Sequence, residues 1–422
     1  MKRFFTVFAT LVLASCLSEK GAEPGKPATF IRYYYGGNSD TSVAFEETSD
    51  KGFIILSTVT VSGSEAVAAR YKVKLTKTDE FGNVIWQRRY PEFNTADDTI
   101  SYSPSGLQIL KDGAGYVITG EHIQRHNSQM FIMTTDVDGN MKLHASYANP
   151  AVATSSLYGK AVAVNATGNY LVLSYAGTTQ MLLTELKKDD LTPVWGPINT
   201  TSWAKTYEAG STTLNNRLFL DEAGMIFWSG TVSKVSSTGI RVVKTAPNAQ
   251  NTEFDLTLLN PTYSEEATDF CRFGFGYAVV GSTNQKQGQT APGDRDILFK
   301  RLGQDGTVLS TQSFTSSLND PSRDTQNDTG KSISSTQDGG LILLASVNSA
   351  AIDGQGDNDY LLIKIDAFGK EVWRNSFGSR FKDTGVSVRQ ISDGSYVVLG
   401  TTNQGNRDII TLIKTTSLGK IE

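Results

Sequence analysis

Short apolar runs recur along the chain at a regular interval, separated by polar, glycine-rich punctuation. The clearest unit lies near the C-terminus. Asp383-Thr384-Gly385-Val386-Ser387-Val388 leads through Asp393-Gly394 into Tyr396-Val397-Val398-Leu399-Gly400, and Asp408-Ile409-Ile410-Thr411-Leu412-Ile413-Lys414 follows. The unit before it runs from Asp328-Thr329-Gly330 through Asp338-Gly339-Gly340 into Leu341-Ile342-Leu343-Leu344. It continues through Asp359-Tyr360-Leu361-Leu362-Ile363-Lys364 and a Phe368-Gly369 turn to Val372-Trp373. Each unit predicts four short strands. The second is almost unbroken in apolar character, as a strand buried on both faces should be. The third ends at a glycine-containing turn suited to a hairpin.

The start of the second strand serves as a ruler. It falls at Phe53, Tyr116, Tyr170, Met225, Tyr277, Leu341 and Tyr396, a spacing of roughly 50–65 residues that fits four-stranded propeller blades with loop insertions. No stretch sustains the i, i+3, i+4 pattern of a helical repeat. The expected fold is therefore all-β, a seven-bladed β-propeller of four-stranded blades. The last unit stops at Lys420-Ile421-Glu422, where its fourth strand should begin, and Phe30-Ile31-Arg32-Tyr33-Tyr34 looks like that missing strand. An N-terminal strand closing the ring makes 29–422 one domain without exposed edges.

The first residues read as an address. Lys2 and Arg3 precede an apolar run from Phe4 to Leu13 that is too short to span a bilayer. Leu13-Ala14-Ser15-Cys16 then resembles the bacterial lipoprotein signal. That resemblance implies a signal peptide over 1–15, lipidation at Cys16, and a flexible tether over 16–28, whose prolines and glycines carry no apolar pattern. Ser18-Glu19 weakly resembles the export signal of surface lipoproteins in Bacteroidota. The repeats over 325–422 and 40–90 likewise resemble the propeller-repeat lipoproteins of that group. The implied location is the outer membrane, lipid-anchored at the cell surface.

The 422 residues carry 43 acidic and 39 basic side chains, a net charge of -4 that excludes nucleic-acid binding through a large basic field. Two cysteines and three histidines supply neither a disulfide framework nor a cysteine-rich metal site, so no metal and no cofactor is expected. Asp136-Val137-Asp138-Gly139-Asn140 begins like a calcium loop, but Tyr147 stands where the loop needs its last carboxylate; the segment reads as a hairpin turn. His122 and His126 have helical metal-ligand spacing in a segment that is not helical.

Two candidate sites remain. Asp40, Asp328 and Asp383 open the first strand of three blades, and Glu266 and Asp98 lie near the matching place in two others. First strands line a propeller's channel, so these carboxylates predict an acidic ring at one mouth, able to hold a structural cation or a basic partner. The plainer alternative is that each aspartate caps a turn. Trp203 and Tyr207, in a polar stretch between blades, predict an aromatic ligand contact. Two long intervals between second strands place extra length at 59–70 or 91–105, and at 284–295 or 315–327, and predict binding loops there. Hydrolase motifs are missing. The functional expectation is a non-catalytic envelope lipoprotein, its propeller binding or scaffolding another envelope protein. The alternatives are a surface glycan-binding protein of a nutrient-uptake system, and a hydrolase or lyase with its site in the propeller funnel.

Overall fold

The computed structural model describes residues 29–422 apart from 37–38, 62–69, 91–99, 111–112, 125–126, 150–155, 178–179, 197–202, 209–216, 235–236, 286–292, 317–326, 349–357 and 406. The leader, Cys16 and the tether lie outside the described residues. The fold is all-β. Strands pair antiparallel in five four-stranded sheets spanning 40–90, 100–147, 157–208, 217–258 and 265–314. An eight-stranded sheet holds Phe30–Tyr34 with the strands of 329–377 and 382–415, and a single parallel pair, Asn358 with Lys382, joins its two halves. No helix among the described residues is long and apolar enough to cross a membrane.

The expected closing strand is present. Phe30–Tyr34 pairs antiparallel with Asp408–Thr415, Phe30 opposite Lys414 and Tyr34 opposite Ile410. The innermost strands contact one another in sequence order, and Lys382–Gln390 returns to Asp40–Glu47, so the sheets form a closed β-propeller. The core lies between neighbouring sheets rather than in one central mass. At the closure, Phe30 and Tyr34 pack with Phe45, Phe53, Val397 and Leu399. The continuous apolar second strands are buried along their length, because a blade meets a neighbour on each face.

The recurring aspartates of the turns have local explanations. Asp338 and Asp393 precede Gly339 and Gly394, whose φ values of 77° and 86° suit glycine. Their carboxylates meet third-strand lysines, Lys364 at 3.0 Å and Lys414 at 2.7 Å; Asp50 meets Lys77 in the same way at 2.8 Å. Asp79, Asp136 and Asp366 each accept backbone N–H bonds from two and four residues on. This is the Asx turn of a hairpin and leaves Asp136 without calcium-loop geometry.

A tyrosine latch ties successive sheets together. Near the end of an outermost strand, the hydroxyl donates to a turn carbonyl of the next sheet: Tyr34 to Gly82 at 2.9 Å, Tyr90 to Gly139, and Tyr147 to Leu191. Outer-strand tryptophans add to this seam. Trp86 packs on Tyr116, and Trp373 on Tyr396 with ring centroids 5.8 Å apart. The first contact packs one sheet against the next, and the second packs the two halves of the eight-stranded sheet together.

Candidate functional site: the central channel

A β-bulge interrupts six of the innermost strands at a corresponding point, while Arg217–Leu220 pairs without one. The register shifts between Ser42 and Ala44, Pro104 and Gly106, Gly159 and Ala161, Ala267 and Asp269, Gly330 and Ser332, and Gly385 and Ser387. A bulge leaves one residue unpaired and re-aims side chains. The unpaired residues here, Val43, Ser105, Lys160, Thr268, Lys331 and Val386, all line one central cavity of about 870 Å³. That volume matches a ligand pocket.

The cavity is cationic. Lys160, Arg217, Arg272, Lys331 and Arg389 line it, against two carboxylates, Glu46 and Asp269. Arg217 meets Asp269 at 3.1 Å and Arg389 meets Glu46 at 3.0 Å. Asp269 also accepts from the Ser332 hydroxyl and the Ile333 amide, which fixes its orientation. Lys160 sits 5.6 Å from the centre of the Tyr158 ring. Burial pulls the Lys160 and Lys331 amines below the usual lysine range. It pushes the Cys271 thiol, also on the channel wall, up to about 12, with the charge of Asp269 adding to the effect.

The predicted acidic ring is not in this channel. Asp40, Asp328 and Asp383 sit three residues before the bulge, on the side of the strand that turns away from the lumen, and all three are buried. Asp40 is ion-paired with Lys74, both side chains at 0% exposure. Asp328 accepts from the Ser316 and Asn348 amides, and Asp383 from the Ser379 amide and the Thr402 hydroxyl. The matching residue in the 265–314 sheet is Glu265, which meets Lys300 at 2.8 Å. Glu266, the residue expected in the ring, is bound instead by Arg295 at 2.6 Å. Asp98 lies outside the described residues. These carboxylates are spent on ion pairs and on hydrogen bonds with neighbouring strands and turns, and are not gathered at a channel mouth.

The predicted aromatic contact is corrected as well. Trp203 is 2% exposed and stacks on Tyr147 with centroids 5.5 Å apart. Tyr207 is buried at the edge of its sheet and packs edge-on against Trp228 at 5.3 Å, in the place the latch tyrosines occupy elsewhere. Both side chains are spent on the seams between sheets and present no face to a ligand. His122 is stacked on Tyr102 at 4.6 Å with Nδ1 3.0 Å from the Ser146 hydroxyl, and burial lowers its pKa. His126 lies outside the described residues, and among these no three His, Cys, Asp or Glu side chains gather as a metal set. The insertions belong to the connections between second and third strands or between sheets. Antiparallel order places both kinds on the face opposite the tight aspartate turns. Their central parts, 62–69, 91–99, 286–292 and 317–326, lie outside the described residues.

The sequence reading missed the basic lining. Its signal was the lysine in two of the first strands, Gly159-Lys160-Ala161 and Gly330-Lys331-Ser332, which becomes a lumen residue only once the bulge is known.

No family model and no curated sequence matches the chain. Solved structures do resemble it. The polysaccharide lyase Uly1 is 10% identical with a TM-score of 0.52, the match covering 94% of each chain. The Dos1 propeller is 9% identical with a TM-score of 0.50, covering 94% of this chain and 98% of that one. The α-L-arabinofuranosidase Arb93A of Fusarium graminearum, in complex with an iminosugar inhibitor, is 8% identical with a TM-score of 0.48, covering 93% and 98%. The first two support the propeller fold. The expectation of a non-catalytic scaffolding module is corrected to this extent: a polysaccharide lyase stands among the similar structures, so the comparisons give that expectation no support, while at these identities the likeness itself shows the fold.

Proposed function

We propose that this chain is a seven-bladed propeller, counting the eight-stranded sheet as two blades, that takes a glycan into its central channel. The observation that carries the reading is the channel: about 870 Å³, walled by the innermost strands, with charged side chains fixed by the bulges. The polysaccharide lyase with the same fold supports a carbohydrate as the ligand. The leader and Leu13-Ala14-Ser15-Cys16 support a lipid anchor at Cys16 and display from the outer membrane, where polymeric glycans are met.

A second reading, cleavage of the bound glycan by hydrolysis or elimination, is favoured by Glu46 and Asp269. These carboxylates are open to the same cavity, and each is oriented by an arginine, as acid–base groups must be. The test is affinity electrophoresis of the purified protein through gels containing a panel of polysaccharides. It is paired with assays for new reducing ends and for the ultraviolet absorbance of a newly formed double bond. Retardation by a glycan supports the binding reading, and either product signal, lost in Asp269→Asn, supports cleavage. Free migration through every gel with no product refutes both.

A further inference from the structure

The channel has the opposite sign to the protein around it. The chain as a whole carries a net charge of -4, yet five cationic residues face two carboxylates in the cavity lining. The two carboxylates are already committed, Asp269 to Arg217 and Glu46 to Arg389. Lys160, Arg272 and Lys331 have no carboxylate at ion-pair distance among the described residues, and they stand on three different sheets around the lumen. Arg272 is exposed, but Lys160 and Lys331 are half-buried, and a charge partly taken from water without a partner is costly. The lowered pKa values of Lys160 and Lys331 register that cost, since burial outweighs the more distant charges of Glu121 and Glu266. An anionic group in the lumen would offset it. A cavity with low-dielectric walls and one sign of charge also focuses the field on that ligand.

Resting on the glycan reading above, we infer that the channel selects a polyanionic polysaccharide, one with carboxylate or sulfate groups along its chain. Cations spread over three sheets suit charges repeated along a polymer better than a single small anion. This cationic cluster lies in the lumen of a protein whose net charge is -4, which disfavours a broad nucleic-acid surface.

The experiment measures binding of four matched probes by calorimetry: oligogalacturonate, its methyl-esterified neutral form, dextran sulfate and dextran. The variants are Lys160→Gln/Lys331→Gln, the charge-keeping Lys160→Arg/Lys331→Arg, and Lys370→Gln at an exposed hairpin turn. The expected result is affinity for a charged probe at least about tenfold above its neutral counterpart, falling steeply with salt. The double Gln variant should lose about ten- to a hundredfold, from charge-assisted bonds given up, while the Arg pair and Lys370→Gln keep it. Carboxylated against sulfated probes tells which anion is read. Equal binding of neutral and charged probes overturns the inference while leaving the glycan reading intact. Loss in Lys370→Gln equal to that in the double Gln variant also overturns it, as does tighter binding of a single-stranded oligonucleotide. Failure of all four probes refutes the glycan reading itself. Unchanged or raised melting temperatures in the Gln variant establish that a loss is not unfolding.

Discussion

Asp359 opens the third strand of its sheet with an ionisable group in an unfavourable place. It is 3% exposed, and its Oδ1 has no hydrogen-bond partner. Burial, reinforced by the charge of Asp383, pushes its pKa from 3.8 up to about 6. The folded protein therefore holds this proton where the unfolded chain has released it. Stability from this residue is greatest below about pH 4, declines as the pH rises toward 6, and is flat above that. The shift corresponds to about 3 kcal/mol of lost stability at neutral pH. Asp359→Asn removes the charge and keeps the shape. The assay is urea denaturation of both proteins across about pH 4–8, the variant serving to subtract every other titration. The variant should be more stable by up to about 3 kcal/mol near pH 7.5, and the gap should close on acidification. A gap that does not change with pH, or a variant less stable at neutral pH, would refute the reasoning.

Three further outcomes follow from other side chains. Lys74→Met and Asp40→Asn each strand a buried group and should cost about 3–5 kcal/mol in urea melts, whereas the double variant should recover much of the loss; additive single effects would show the pair is not coupled. Trp203→Ala should cost about 3–5 kcal/mol by the same assay and leave glycan affinity unchanged in the folded fraction, because the ring fills a seam against Tyr147. Cys271, half-buried on the channel wall with its thiol pushed up to about 12, should react with iodoacetamide at pH 8 far more slowly than a free thiol until denaturant is added, and rapid native labelling would contradict the raised pKa.

Much of the architecture was legible because burial on both faces writes a strong pattern. Second strands begin at Phe53, Tyr170, Leu341 and Tyr396 as the ruler placed them, and at Gly115, Ile226 and Gly276, one residue away, in the others. Phe30–Tyr34 was legible because its partner strand lacked an edge neighbour. The site was not legible, for a geometrical reason. Strand side chains alternate with a period of two, and one bulge resets that alternation. Asp40, Asp328 and Asp383 were placed in the lumen by counting strands, while the bulge hands that place to the residues three positions later. Trp203 was misread because the polar residues around it hid a side chain that packs under Tyr147 of the preceding sheet.

The closing strand has a consequence for the order of assembly. Thr29 Oγ1 donates to the Glu422 carbonyl across 393 positions of sequence, at the same seam where Phe30–Tyr34 joins the last sheet. The segment that leaves the ribosome among the earliest is thus among the last to find its partner. Until Asp408–Thr415 has been delivered, both rims of the closing blade lack their neighbours, and contacts this distant in sequence form slowly. A product truncated before that strand would have no clasp and would keep an open edge, which invites aggregation.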